Sequence, residues 1–314
     1  MTYISYRAYP GYLLMYKSYD RINKERLHDI SKERSNTKGE LSQVSIRKIK
    51  HAINNLVLIS EKKKYFTKNG DSFHFKLNFI TLTLPALQAH TDFELKALLN
   101  DWLKIWQAKG LKNYVWKAEK QKNGNIHFHI TSDFYINYQD IKESWNLCLK
   151  RIGYINKYRE AQENWHKSGF KLRKNSIRYI RGKKVIWTRE QQFKAWQEGK
   201  TTNWSKPNTT DVHSVKNIKN LSSYISEYMA KNKGDKVNGR LWGCSRNLLL
   251  KPDDLHLQDE LIVDRIFNDL SREDYQIKTE NYVILPNRFL TESELLDIEP
   301  FIERFKRKIL DASG

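Results

Sequence analysis

His127 and His129 stand two residues apart in Ile126-His127-Phe128-His129-Ile130, a run that alternates polar and apolar side chains. A β-strand sends successive side chains to opposite faces, so both imidazoles emerge on one face while Ile126, Phe128 and Ile130 pack on the other. Two imidazoles roughly 7 Å apart along a rigid strand can share one divalent metal. A third ligand is available just upstream, because Lys122-Asn123-Gly124 fits a three-residue hairpin loop with Gly124 in the left-handed position. Counting back from that loop pairs Gln121 with Asn125, Lys120 with Ile126 and Glu119 with His127. Glu119 then joins the histidine face. A two-residue Asn-Gly turn would instead pair Glu119 with Phe128 and point it away, so the metal reading depends on the loop.

A second chemical stretch follows at Tyr224-Ile225-Ser226-Glu227-Tyr228-Met229-Ala230-Lys231. Offsets of four and seven put Tyr224, Tyr228 and Lys231 on one face of a helix expected over 217–232, while Ile218, Leu221 and Ile225 offer the opposite face for burial. These residue types suit the breaking of a DNA phosphodiester without water. A tyrosine phenolate can hold the phosphoryl group covalently and leave a free 3′-hydroxyl. A hard cation such as Mg²⁺ or Mn²⁺, held by His127, His129 and Glu119, suits the anionic phosphate. A nearby lysine favours the phenolate and balances charge. A second tyrosine allows a second transfer.

The elements that must position these groups are legible in outline. Ser42 to Ser60 predicts a helix with Ile46, Ile49, Ile53 and Leu56 on one face. A long strand is expected from Ser72 to Leu84, stopped by Pro85. A capping box of Thr91 and Glu94 opens a helix through Leu95, Leu98, Leu99, Trp102 and Trp106, which Gly110 ends. After the metal hairpin, Asn137 caps a further helix through Trp145. Strand, helix, strand, strand, helix is the order of a split βαβ sandwich with a central antiparallel sheet, an α+β fold. Residues 150–210, with Trp165, Trp187, Trp196 and Trp204 among Lys and Arg, are expected as a helical insertion able to contact DNA. Asp211–Val215 predicts a strand. Residues 1–62 read as a basic, tyrosine-rich arm with a helix, 63–250 as the sheet domain, and 251–314 as an acidic helical region. Residues 22–40 are polar and expected to be mobile.

Composition narrows the partner. The 314 residues carry 56 Lys+Arg against 36 Asp+Glu, a net charge of +20. Residues 251–314 hold 9 basic and 15 acidic side chains, so the rest of the chain carries +26. A basic body with 9 Trp, 17 Tyr and 13 Phe suits a polyanion whose bases can be stacked upon, meaning single-stranded nucleic acid. Cys148 and Cys244 match no zinc spacing and point to a reduced, cytoplasmic setting. No apolar run reaches membrane-spanning length, no signal peptide opens the chain, and a phosphate-cradling Gly-x4-Gly-Lys-Ser/Thr loop is absent.

The Ile80-Thr81-Leu82-Thr83-Leu84 strand, the His127-Phe128-His129 strand and the Tyr224/Tyr228/Lys231 helix occur in the order of the three motifs of HUH rolling-circle replication endonucleases. The chain resembles that family over roughly residues 63–246. The tyrosine pair is similar to the initiators of single-stranded DNA phages. It departs from them in the long insertion at 150–210 and in Glu227, which stands between the tyrosines. The resemblance implies a replication initiator of a host bacterial cytoplasm that nicks a single-stranded DNA origin. Either Tyr224 or Tyr228 becomes 5′-linked to DNA, host helicase and polymerase extend the 3′ end, and the other tyrosine rejoins the strand. Thr81 and Thr83 are expected to support the metal strand, and Arg240 to touch phosphate or pair with a carboxylate. Two other readings stand beside it: a non-catalytic single-stranded nucleic-acid binder, and a relaxase or transposase using the same metal and tyrosine chemistry.

Overall fold

The computed structural model describes residues 2–19, 39–66, 70–174, 176–180, 183–214, 225, 227, 229, 236–255 and 257–313. The segment expected to be mobile falls mostly at 20–38, outside the described residues. In chain order the elements begin with a hairpin, β1 (Thr2–Tyr9) and β2 (Tyr12–Tyr19), and helix α1 (Gln43–Ile59). A second hairpin, β3 (Lys63–Phe66) and β4 (Ser72–Phe75), precedes β5 (Asn78–Leu82), α2 (Asp92–Gln107), β6 (Tyr114–Lys120), β7 (Ile126–Ser132) and α3 (Tyr138–Arg151). Then come α4 (Tyr154–Trp165), the hairpin β8 (Ile177–Ile180) and β9 (Lys183–Ile186), α5 (Arg189–Thr201), β10 (Thr210–Ser214) and β11 (Trp242–Cys244). The chain closes with α6 (Leu257–Phe267), β12 (Ile277–Lys278), β13 (Tyr282–Pro286) and α7 (Glu292–Asp311).

These elements fall into two units. One comprises Lys38–Leu41 and Glu61–Gly243; the other comprises Met1–Thr37, Ser42–Ser60 and Cys244–Gly314. The fold is mixed α+β, and the first unit is built on a five-stranded sheet in the order β10-β5-β7-β6-β11. β7 runs antiparallel to both β5 and β6. β5 and β6, joined through α2, are therefore parallel to each other with β7 inserted between them. β10 adds an antiparallel edge on β5.

The helices form where the caps allow. Thr91 and Glu94 close a reciprocal capping box at the start of α2, and the Asn137 side chain accepts from Gln139 N at the start of α3. α2 and α3 cover the apolar face of the sheet. The indoles of Trp102 and Trp106 both donate to Ser144 Oγ, at 2.9 and 3.2 Å. Trp145 packs edge-on against Phe128 of β7 and donates to the Thr83 carbonyl at 2.9 Å. Phe128, Trp145, Ile80 and Leu82 are fully buried, which locks the sheet from this side.

One expected strand is two. β4 and β5 are separated at Lys76-Leu77, and β4 pairs with β3 in a two-stranded sheet of its own. Leu77 is buried at the break, and Tyr65, Phe73, Phe75 and Tyr135 form an aromatic cluster around this hairpin. The 150–210 region holds the two expected helices near 154–165 and 189–201, together with the hairpin β8–β9.

The second unit unites the two ends of the chain, which the sequence presents as separate segments. Its four-stranded sheet has the order β1-β2-β13-β12, with Tyr282–Pro286 antiparallel to Tyr12–Tyr16. Tyr6, Leu13, Val263, Ile266, Leu285, Ile298 and Phe301 share one core. The tyrosines of the first strands serve this packing. Tyr6 donates to Asp264 and Tyr16 to Asp254, each at 2.5 Å, and Asp254 also takes Arg7 at 2.6 Å. Among the described residues no helix is long and apolar enough to cross a membrane.

Candidate metal centre

The loop between β6 and β7 is the three-residue type. Gly124 has φ +80°, its N–H donates to the Gln121 carbonyl at 2.9 Å, and Gln121 N donates to the Asn125 carbonyl at 2.8 Å. Glycine occupies that left-handed position without a Cβ penalty. The register is therefore Glu119 opposite His127 and Lys117 opposite His129. Side chains from Gln88 and Asn125 clamp this end of the hairpin. Ile126 N donates to Gln88 Oε1 at 2.7 Å, Asn125 Nδ2 donates to the Ala86 carbonyl at 2.8 Å, and Lys120 reaches Asp92 at 2.6 Å.

Glu119, His127 and His129 converge within the first unit. Glu119 Oε1 lies 2.9 Å from His127 Nε2 and 2.8 Å from His129 Nε2, and the two nitrogens are 3.1 Å apart. Three ligating atoms on one small triangle form a group able to bind a metal ion. The spacing itself tests the fit. At metal–ligand distances of about 2.1 Å, adjacent ligands of an octahedron stand about 3.0 Å apart and those of a tetrahedron about 3.4 Å. The observed triangle matches adjacent octahedral positions. Its donors, one carboxylate oxygen and two imidazole nitrogens, suit a borderline-hard divalent cation.

The surroundings keep these atoms ligand-ready. Glu119 is 7% exposed and His129 is 2% exposed. Burial alone would raise the Glu119 carboxyl, but the hydrogen bonds from His127 and His129 and the charge of Lys117 outweigh it and hold the group far below its ordinary range. Burial pulls the His129 imidazole down to about 4, against the hydrogen bond to Glu119 that would raise it. The ring is therefore neutral near pH 7, the form that ligates. On its other side, His129 Nδ1 lies 3.1 Å from Thr81 Oγ1, directly across the β5–β7 pair. An Nδ1–H donated to that hydroxyl leaves the Nε2 lone pair aimed at the triangle. Phe79 stacks on the same imidazole at 5.4 Å between centroids.

Lys117 is not among the residues that the sequence singles out, yet it sits at the centre of the site. Its Nζ is 3.0 Å from Glu119 Oε2, and it is only 3% exposed. Lys117 and Glu119 are two apart on β6, so the alternation that places Glu119 on the histidine face places Lys117 there too. Thr81 supports the metal strand as expected. Thr83 does not, because it lies beyond the end of β5 and bonds the Thr209 carbonyl at 3.1 Å. Arg240 meets no carboxylate among the described residues; it donates to the Trp242 carbonyl at 2.7 Å and lies over the Trp116 ring. Tyr224, Tyr228 and Lys231 lie outside the described residues. Between them Ile225, Glu227 and Met229 are helical, with Ile225 and Met229 fully buried and Glu227 exposed.

No curated protein and no solved structure matches the chain. A family model does, over residues 77–233, half of the 314-residue chain and a span that contains the whole ligand triangle, its Thr81 support and both tyrosines. The description of that family, replication-associated protein ORF2, gives the basic chain and its buried Glu-His-His group a replication context, and it is to this family that the protein belongs.

Proposed function

We propose that this protein is an HUH-type replication initiator of the two-tyrosine kind, which nicks a single-stranded DNA origin and later rejoins the strand in rolling-circle replication. The observation that carries this reading is the convergence of Glu119, His127 and His129 on one triangle inside the family-matched span. The order β5-β7-β6, with α2 crossing between the two parallel strands, supports a split βαβ arrangement of the HUH kind.

In this reading Glu119, His127 and His129 hold Mg²⁺ or Mn²⁺. When bound, the cation supplies Lewis-acid neutralisation of charge on the non-bridging phosphoryl oxygens. The phenolate oxygen of Tyr224 or Tyr228 attacks phosphorus, its proton having passed to solvent. The phosphorus–O3′ bond breaks, and the departing 3′-oxygen takes up a proton to become the free 3′-hydroxyl. The product strand stays joined to the tyrosine through its 5′-phosphate. Host polymerase and helicase extend from the 3′ end, and the second tyrosine repeats the attack at the regenerated origin. Lys231 balances phenolate charge, while Lys117 holds Glu119 ionised and oriented. The fold contributes positioning and exclusion of water.

Incubation with labelled single-stranded DNA from the replicon's own origin and Mn²⁺, followed by peptide mapping, tests this. The expected result is a DNA-linked peptide containing Tyr224 or Tyr228, absent from the Tyr224→Phe/Tyr228→Phe double variant. An adduct that persists in the double variant, or origin DNA bound without any adduct, overturns the proposal in favour of a non-catalytic binder. Cleavage of transposon-end hairpins in preference to the origin would assign the same chemistry to a transposase.

A further inference from the structure

The solvent side of α3 carries a groove that the metal chemistry does not use. A cavity of about 290 Å³ is bounded by α3, the start of α4 and the segment after α5. Lys142, Lys150, Arg159 and Lys206 converge on it, with Glu143 as its single lining carboxylate among the described residues. Lys142, Asn146 and Lys150 follow at four-residue steps, so they form one stripe along about 12 Å of helix.

The groove is held in shape. Asn146, 8% exposed, donates to the Pro207 carbonyl at 3.0 Å and accepts from Thr209 Oγ1 at 2.7 Å, while Tyr138 donates to Asn208 Oδ1 at 2.8 Å. The chain enters this segment through Asn203 and Trp204, both at positive φ (47° and 46°), a backbone state costly for residues with a Cβ. That turn carries Lys206 back to α3, where burial and the charge of Lys206 both pull Lys142 below its ordinary range. Two lysines turned toward each other, with no carboxylate within ion-pair distance among the described residues, form a site that an anion would relieve. Between the cations Leu147 is 59% exposed, which gives the groove an apolar floor.

The sheet separates this groove from the metal face. Phe128, which meets Trp145 of α3, points opposite to His127 and His129 on the same strand. We infer that the α3 groove is a second nucleic-acid site, which takes the sugar-phosphate backbone of single-stranded DNA away from the ligand triangle, with phosphates on Lys142, Lys150, Arg159 and Lys206 and a base or sugar against Leu147. The choice of DNA rests on the proposed function; the charge and shape do not.

The test is equilibrium binding of a fluorescent oligothymidylate in EDTA, where no nicking occurs, over a range of salt concentrations. Two independent double variants, Lys142→Gln/Lys206→Gln and Lys150→Gln/Arg159→Gln, are compared with Lys48→Gln/Lys50→Gln, which removes the same charge from the exposed face of α1. Each groove variant is expected to weaken binding on the order of tenfold and to lower the log–log salt slope by about 1.4, or 0.7 per phosphate contact. Retained Mn²⁺ binding shows that each variant has folded, since the ligand triangle lies on other elements. Unchanged affinity and slope in both groove variants, or an equal loss in the α1 control, overturns the site. Failure of the nicking reading would show separately, as a missing covalent adduct with groove-dependent affinity intact.

Discussion

Replacing Thr81 with valine tests the metal centre through an atom that touches no metal. The change is nearly isosteric, keeps the β-branch that suits β5, and removes only the hydroxyl 3.1 Å from His129 Nδ1. That hydroxyl selects the tautomer whose Nε2 faces Glu119. Loss of such an outer partner typically lowers metal affinity by about 10–100-fold. With Mn²⁺ at about one hundred times the wild-type Kd, wild-type protein gains about 2.7 kcal/mol of stability from binding, by RT ln(1 + [L]/Kd). A Kd raised 10- to 100-fold leaves a gain of about 1.4 to 0.4 kcal/mol at the same concentration. Urea unfolding with and without Mn²⁺ reads this difference directly, and any stability cost of the substitution itself cancels between the paired curves. Titration calorimetry gives Kd independently. A Thr81→Val protein whose Mn²⁺-dependent gain equals that of wild type would refute the argument that Thr81 sets the His129 tautomer.

In metal-free protein, stability is expected to fall as the pH drops from about 6.5 toward 4. The unfolded chain protonates His129 near 6.5 whereas the folded ring accepts a proton only near 4, so its contribution is complete above that window and lost on crossing it, on the order of 3 kcal/mol. The depressed Glu119 carboxyl acts in the same direction at lower pH, so a urea midpoint that stays level from pH 7 to 5 contradicts this account. Gly124→Ala should cost roughly 1 kcal/mol through its φ of +80° alone, since no atom lies within 4 Å of an added Cβ; Gly124→Asn should cost less. Both should bind Mn²⁺, because the register is also held by Gln88 and Asn125. Calorimetry of the two variants would expose a register slip as lost binding. Burial pushes the Cys148 thiol up to about 11, so at pH 8 it should resist alkylation in the folded protein and react on unfolding, and rapid native-state labelling at Cys148 by mass spectrometry would count against the buried α3 core.

The difference between what is legible in the sequence and what is not follows the range of the interactions concerned. The metal ligands are readable because every step from Gly124 to Glu119 is local: a left-handed glycine sets the loop, the loop sets the register, and the register sets the face. The capping box at Thr91 and the Asn137 cap are local in the same sense. Lys117 obeys the same alternation and can be found by it. It escapes notice because a lysine two residues before a carboxylate ordinarily snorkels to solvent, and only the depth of β6 in the sheet turns it inward. The break at Lys76-Leu77 leaves no mark of that kind, since Ser72–Phe75 and Asn78–Leu82 are each good strand sequence and only their partners differ. Strand β13 lies some 270 residues from β2 and pairs with it through backbone groups that every residue carries, so no local pattern announces the union of the two chain ends. The α3 groove belongs with these long-range features. Lys142 and Lys150 sit on a visible helical stripe, but Lys206 reaches them only through the positive-φ turn at Asn203–Trp204, residues whose type gives no warning of that backbone. Distant residues brought together by an unusual backbone turn are therefore where this chain holds chemistry that periodicity cannot find.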